Sequence, residues 1–133
     1  MDPLDGLQGQ SLEASLTVRD LDTSVIWYTE VLGFTIDRKH DRGGKLIAVS
    51  LRAGAVRILL TQDDGAKGLD RAKGDGFSLQ ITTPGSVDTL AARIGQKGGI
   101  LDNAPTTAPW GARFIRVRDP DGFRFTISTT PSA

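Results

Sequence analysis

Apolar and polar residues alternate with period two in several short stretches of the chain, and each such stretch predicts a strand with one buried face. In Ser11–Val18, Ala14, Leu16 and Val18 fall on one side and Glu13, Ser15 and Thr17 on the other. Arg19 to Ser24 offers an N-cap, and Val25, Ile26, Tyr28, Val31 and Leu32 then follow at helical spacing, predicting a helix from Ser24 to Leu32 that stops at Gly33. Phe34 to Arg38 reads as a strand and His40-Asp41-Arg42-Gly43-Gly44 as a loop. Leu46–Leu51 and Val56–Thr61 form a hairpin around residues 52–55; in its second strand Val56, Ile58 and Leu60 oppose Arg57, Leu59 and Thr61.

A polar, glycine-rich segment follows, and the pattern starts again. Phe77, Leu79 and Ile81 alternate with Ser78 and Gln80. Val87, Leu90, Ala91 and Ile94 mark one face of a second helix, ended by Gly98-Gly99. Ile100 and Leu101 open a short strand, and Asn103 to Ala108 reads as a loop. The chain then makes a hairpin about Asp119-Pro120-Asp121-Gly122, a turn in which Pro pre-sets one dihedral and Gly accepts a positive φ. Ile115, Val117, Phe125 and Ile127 face the core, and Arg116, Arg118, Arg124 and Thr126 face the other way.

Each half thus reads β-α-β-β-β, a repeat whose units cannot bury their apolar faces alone. The fold class this implies is α+β: two βαβββ repeats forming curved mixed sheets around a cleft, with one helix per repeat on the outer face. The domain boundaries are an N-terminal arm at 1–10, a first half at 11–62, a linker at 63–75 and a second half at 76–129. The arm has no periodicity and is expected to be flexible or to cross to a dimer partner.

Composition narrows the classes. A formal net charge of zero gives no electrostatic case for nucleic acid or an anionic membrane surface. The absence of cysteine excludes disulfides, thiolate metal sites and cysteine nucleophiles. No apolar run approaches a membrane span and the first ten residues lack a signal-peptide pattern, so a cytoplasmic protein is the expectation.

Two motifs, in order within the repeated frame, resemble the vicinal oxygen chelate superfamily of glyoxalases, extradiol dioxygenases and bleomycin-resistance proteins. One is Val18-Arg19-Asp20-Leu21-Asp22-Thr23-Ser24 with Trp27-Tyr28 and Leu32-Gly33-Phe34; the other is Trp110-Gly111 with Arg118-Asp119-Pro120-Asp121-Gly122. The resemblance runs from about Leu12 to Ser128 and is specific for the fold rather than for one chemistry. It implies that an enzyme of the family would hold a divalent metal at four inward-facing strand positions. Here those positions fall on Glu13, Leu59, Gly76 or Phe77, and Thr126, of which only Glu13 is a plausible ligand. His40, the sole histidine, reads as a solvated loop side chain. Glu13 either pairs with Arg57 or Arg124 at the cavity rim or, partly desolvated, serves as a base.

The expected ligand-binding set is Glu13, Arg57, Leu59, Gln80, Trp110, Phe114, Arg116, Arg124 and Thr126. It offers aromatic surface and donors to a planar or amphipathic molecule, with room for an anionic one. Trp110 either lines the cavity or staples its loop to the sheet end. The resemblance is closest to the metal-free bleomycin-resistance type, which implies a homodimeric binder that sequesters an antibiotic or toxin, with no cofactor and no catalytic residue beyond the weak candidate Glu13. The alternative is a glyoxalase- or dioxygenase-like lyase, isomerase or oxygenase in which Glu13 is base or metal ligand, a divalent metal then being the cofactor. The halves either pair within a chain or swap between chains.

Overall fold

The computed structural model describes residues 6–130. Of the expected arm at 1–10, residues 1–5 therefore lie outside the described residues. The first half contains β1 (Ala14–Val18), α1 (Leu21–Ile26) continued by a π-helical turn (Trp27–Leu32), β2 (Thr35–Arg42), β3 (Lys45–Ala53) and β4 (Val56–Gln62). The second contains β5 (Leu79–Thr82), α2 (Val87–Gln96), β6 (Leu101–Thr107), β7 (Arg113–Arg118) and β8 (Arg124–Ser128). Two four-stranded mixed sheets result, in the orders β1-β4-β3-β2 and β5-β8-β7-β6. In each, the first strand of the half runs parallel to the last and the remaining neighbours are antiparallel. The same topology occurs twice, as the repeat predicts.

Local chemistry accounts for the elements. Asp20 caps α1 by accepting from the Thr23 amide at 3.1 Å, so the helix opens at Leu21, three residues before the predicted start. Ser86 caps α2 in the same way through the Thr89 amide at 3.2 Å. Leu21, Ser24, Tyr28 and Val31 share the buried stripe of the first helix, and Val87 and Ile94 that of the second. These stripes complete a core with Leu16, Val18, Val49, Leu51, Ile58 and Leu60 from one sheet and Ile115, Val117, Phe125 and Ile127 from the other.

Two predicted loops are strands. His40 to Arg42 belong to β2, which runs up to a two-residue turn at Gly43-Gly44 with φ of 58° and 78°. Two successive positive φ values suit the right-handed twist of a tight hairpin, so both strands extend to the glycines. Most of β2 is exposed, and an edge strand of this kind has no apolar alternation to read. Asn103 to Thr107 likewise continue β6, an edge strand that tolerates Pro105 and carries bulges against β7. Phe77, conversely, lies before β5 and is about half exposed.

The halves meet through their helices. α2 packs on the π-helical turn, and Arg93 donates to the carbonyls of Val31 (3.3 Å), Glu30 (3.1 Å) and Thr29 (3.4 Å), which satisfies acceptors that a helix end leaves open. Gly99 sits at the same seam: a Cβ there would lie 2.6 Å from Ile94 Cγ2 and 2.7 Å from Val31 Cγ1. Gly99→Ala is therefore expected to cost about 1–3 kcal/mol in urea unfolding, as overpacked cores do. Among the described residues no helix is long and apolar enough to cross a membrane.

Candidate functional site

With the helices and the core on one side of each sheet, the side chains that alternate outward line two open troughs, one per sheet. The trough on the second sheet has a volume of about 600 Å³ and is lined by Ser78, Gln80, Asp102, Arg116, Arg118, Arg124, Phe125 and Thr126. Strand register builds it: Gln80, Thr126 and Arg116 form a row across β5, β8 and β7, and Arg124 stands opposite Arg118 in the next row. Arg118 Nε reaches Asp102 Oδ2 on β6 at 2.8 Å. Arg116 extends over the Phe114 ring, 5.2 Å from its centroid.

The trough on the first sheet measures about 460 Å³ and is lined by Glu13, Asp37, Arg38, His40, Ser50, Leu51 and Arg57. Glu13 precedes β1, whose parallel register with β4 sets Ala14 beside Ile58 and so brings Glu13 to the level of Arg57. His40 Nε2 and Ser50 Oγ are 3.2 Å apart across the β2–β3 ladder. Because β2 continues through His40, that imidazole stands on a strand in the trough rather than in a solvated loop.

The predicted site residues thus divide between two places. Glu13 and Arg57 belong to the first trough, and Gln80, Arg116, Arg124 and Thr126 to the second; no residue lines both. Leu59, Trp110 and Phe114 line neither. Trp110 lies in the turn before β7 and is 67% exposed. Sequence reasoning missed Asp37, Arg38 and His40, because β2 carries no alternation that would have placed them on a face; Ser50, on β3, was missed as well. Ser78 and Arg118 share a face with Gln80 and Arg116 by simple parity, and that signal was available.

The residues at the four positions that the resemblance implies for a divalent metal do not suit one: they are one carboxylate (Glu13), a leucine, a half-exposed phenylalanine or its neighbouring glycine, and a hydroxyl (Thr126). Catalytic zinc takes three protein ligands and calcium six to eight oxygens, more donors than these positions supply. Among the described residues no three His, Cys, Asp or Glu side chains come together to hold a metal ion.

A buried polar cluster sets the relation between the halves. The Tyr28 hydroxyl donates to Asp119 Oδ2 at 2.7 Å, while Asp119 Oδ1 accepts from the amides of Asp121 (2.9 Å) and Phe123 (2.8 Å). Asp121 in turn accepts from Ser24 Oγ at 3.3 Å and from the Arg19 amide at 2.9 Å. The turn of the last hairpin is thereby pinned to the first helix. Burial raises the Asp119 carboxyl above its ordinary range, against the lowering effect of its hydrogen bonds, and burial followed by the Asp119 charge drives the Tyr28 hydroxyl up.

Comparison with known proteins agrees with this architecture. The fold matches TioX from Micromonospora sp. ML1 with a TM-score of 0.72 at 22% identity, covering 91% of this chain and 98% of that one. It matches TnmS3, an antibiotic binding protein from Streptomyces sp. CB03234, with a TM-score of 0.73 at 21% identity, covering 96% of this chain and all of the other. By sequence, a probable lactoylglutathione lyase of Vibrio cholerae is 29% identical over 119 residues, 84% of each chain. A lactoylglutathione lyase of Arabidopsis thaliana is 28% identical over 116 residues, 83% of this chain; the chain spans only 40% of the length of that plant relative. A family model matches residues 11–127, and with the two βαβββ modules in place the chain belongs to the glyoxalase/bleomycin resistance protein/dioxygenase superfamily.

Proposed function

We propose that this protein binds a small aromatic or amphipathic molecule without a metal, in a cleft completed by a second copy of the chain. One observation carries the reading: each trough is walled by a single sheet and stays open, so one chain presents two half-clefts. In a homodimer the first-sheet trough of one copy closes over the second-sheet trough of the other, giving two cavities with mixed walls. The domain boundaries at 11–62 and 76–129 and a cytoplasmic location belong to the same reading. The likeness to an antibiotic binding protein supports sequestration of an antibiotic or toxin as the use of such a cavity.

The expected result in analytical ultracentrifugation is a species of twice 14.2 kDa. Calorimetric titration with a panel of aromatic antibiotics is expected to find a ligand whose affinity changes less than twofold after exhaustive chelation. A strict monomer, or affinity abolished by chelation and restored by zinc, overturns the proposal. Calorimetry is the right readout because Trp110, a natural fluorescent reporter, stands outside both troughs.

A second reading is favoured by the lactoylglutathione lyase relatives: turnover with Glu13 as base or metal ligand. A donor set with one carboxylate at the four implied metal positions favours the first reading. In the presence of zinc or nickel, formation of S-lactoylglutathione from glutathione and methylglyoxal is expected to stay at background, and Glu13→Gln to leave it there. Turnover that disappears in Glu13→Gln would establish the enzyme instead.

A further inference from the structure

The two troughs differ in charge. On the first sheet, Glu13 and Asp37 line the trough with Arg38 and Arg57, two carboxylates to two guanidiniums, so the formal charges cancel although no ion pair forms among them in the described residues. On the second, Arg116, Arg118 and Arg124 share one face with a single carboxylate, Asp102, which is taken by Arg118. Arg118 and Arg124 stand directly opposite on adjacent antiparallel strands, an arrangement that costs stability for like charges. Arg116 and Arg124 meet no carboxylate among the described residues. Elsewhere on this hairpin the chain does supply a partner: Arg113 is held by both oxygens of Asp88, at 2.6 and 2.8 Å.

We infer that the second-sheet trough is an oxyanion subsite, in which Arg116 and Arg124 take a carboxylate or phosphate group of the ligand while the outward row of Gln80 and Thr126 meets its body. The inference rests on the small-molecule-binding reading above and adds the chemical class of the ligand. Guanidiniums suit such a group because their N–H forks match paired oxygens, and the anion offsets the repulsion within the trio. Gln80 and Ser78 add neutral polar groups on β5 and just before it, so the anion meets donors from more than one strand. The orientation follows: the charged end of the ligand lies on the second sheet, and its remainder faces the charge-balanced first sheet of the partner copy.

Three probes with one aromatic body test this by calorimetry at low salt: 2-naphthoate, 2-naphthyl phosphate and the uncharged 2-naphthamide. At least one of the two anions is expected to bind ten times or more tightly than the amide, and to weaken as salt is raised. Whichever anion binds more tightly identifies the group. The Arg116→Gln/Arg124→Gln double variant is expected to lose that preference while still binding the amide, whereas Lys45→Gln, at an exposed residue that lines neither trough, retains it. The double variant is also expected to melt no lower than the parent, since it relieves a repulsion. Equal affinity for amide and anions overturns the anion subsite and leaves the binding reading standing. Failure of the dimeric protein to bind any of the three at millimolar concentration overturns both. A lowered melting temperature with the anion preference intact assigns the arginines to the fold and also overturns the subsite.

Discussion

Replacing Lys73 by methionine is expected to lower the melting temperature by about 10 °C, the scale of a broken buried ion pair in a domain of this size. Lys73 Nζ lies 2.6 Å from Asp63 Oδ2, and the two side chains are 2% and 3% exposed. Both residues come from the segment that composition marks as a linker, yet Asp63 also accepts from the Gly65 amide at 2.9 Å and meets Arg71 at 3.3 Å. Arg19 adds bonds to the carbonyls of Leu69 (2.6 Å) and Arg71 (2.7 Å), so the segment is strapped to the first half. Methionine fills the space of the lysine stem and leaves the carboxylate with its weaker partners. Asp63→Leu combined with Lys73→Met is expected to recover much of the loss, because it removes the stranded charge. Thermal melts of the single and double variants decide this.

The same pair sets an acid limit. The Lys73 hydrogen bond, the Gly65 amide and the nearby cations hold the Asp63 carboxyl down to about 2, against the opposing effect of burial. A carboxylate lowered in the folded state stabilises above its unfolded pKa, and that stabilisation is lost as pH falls through the folded value. Stability should therefore drop between about pH 4 and pH 2, the window between the ordinary carboxylate pKa and the folded one. Asp63→Asn is expected to show a flatter profile over that range in pH-dependent melts.

The fold was legible because alternation and helical spacing report burial, and burial repeats: Leu16 and Val18 in β1 answer Leu79 and Ile81 in β5, and Tyr28 and Val31 answer Leu90 and Ile94. Residues that bury nothing left no such trace. β2 and the end of β6 are edge strands whose backbones are paired on one side while their side chains stay wet, so His40 and Asn103 read as loop. The site was legible only as a set of outward parities. Pattern places Gln80, Arg116, Arg124 and Thr126 on one face, and the register confirms their rows. It puts Glu13 and Arg57 in the first half but does not say that the two sheets open separately, because the relation of the halves depends on long-range polar contacts. Asp119 and Asp121 were visible as turn formers, whereas their bonds to Tyr28, Ser24 and Arg19 span 91 to 102 residues of sequence.

Those contacts carry the second large effect. Asp119→Ala is expected to cost about 3 kcal/mol in urea unfolding, since it removes an acceptor shared by a buried hydroxyl and two buried amides. Tyr28→Phe, which deletes the hydroxyl alone, is expected to cost about 1–2 kcal/mol. In a double-mutant cycle the two should fall short of additivity, because each single variant already breaks the same bond. The pH dependence runs opposite to that of Asp63. Burial raises the folded-state pKa of Asp119, so its contribution is fully present below the unfolded pKa and is lost as pH rises through the folded value. Asp119→Asn keeps one acceptor oxygen and carries no charge, so it should lose less than Asp119→Ala and show less decline in stability on the alkaline side of that range. An Asp119→Asn variant as unstable as Asp119→Ala at every pH would mean that the carboxylate geometry, rather than its buried charge, governs how the last hairpin is pinned to the first helix. Because that pin joins the two halves, the orientation of one trough relative to the other depends on it, and with it the shape of the cleft that a second chain would close.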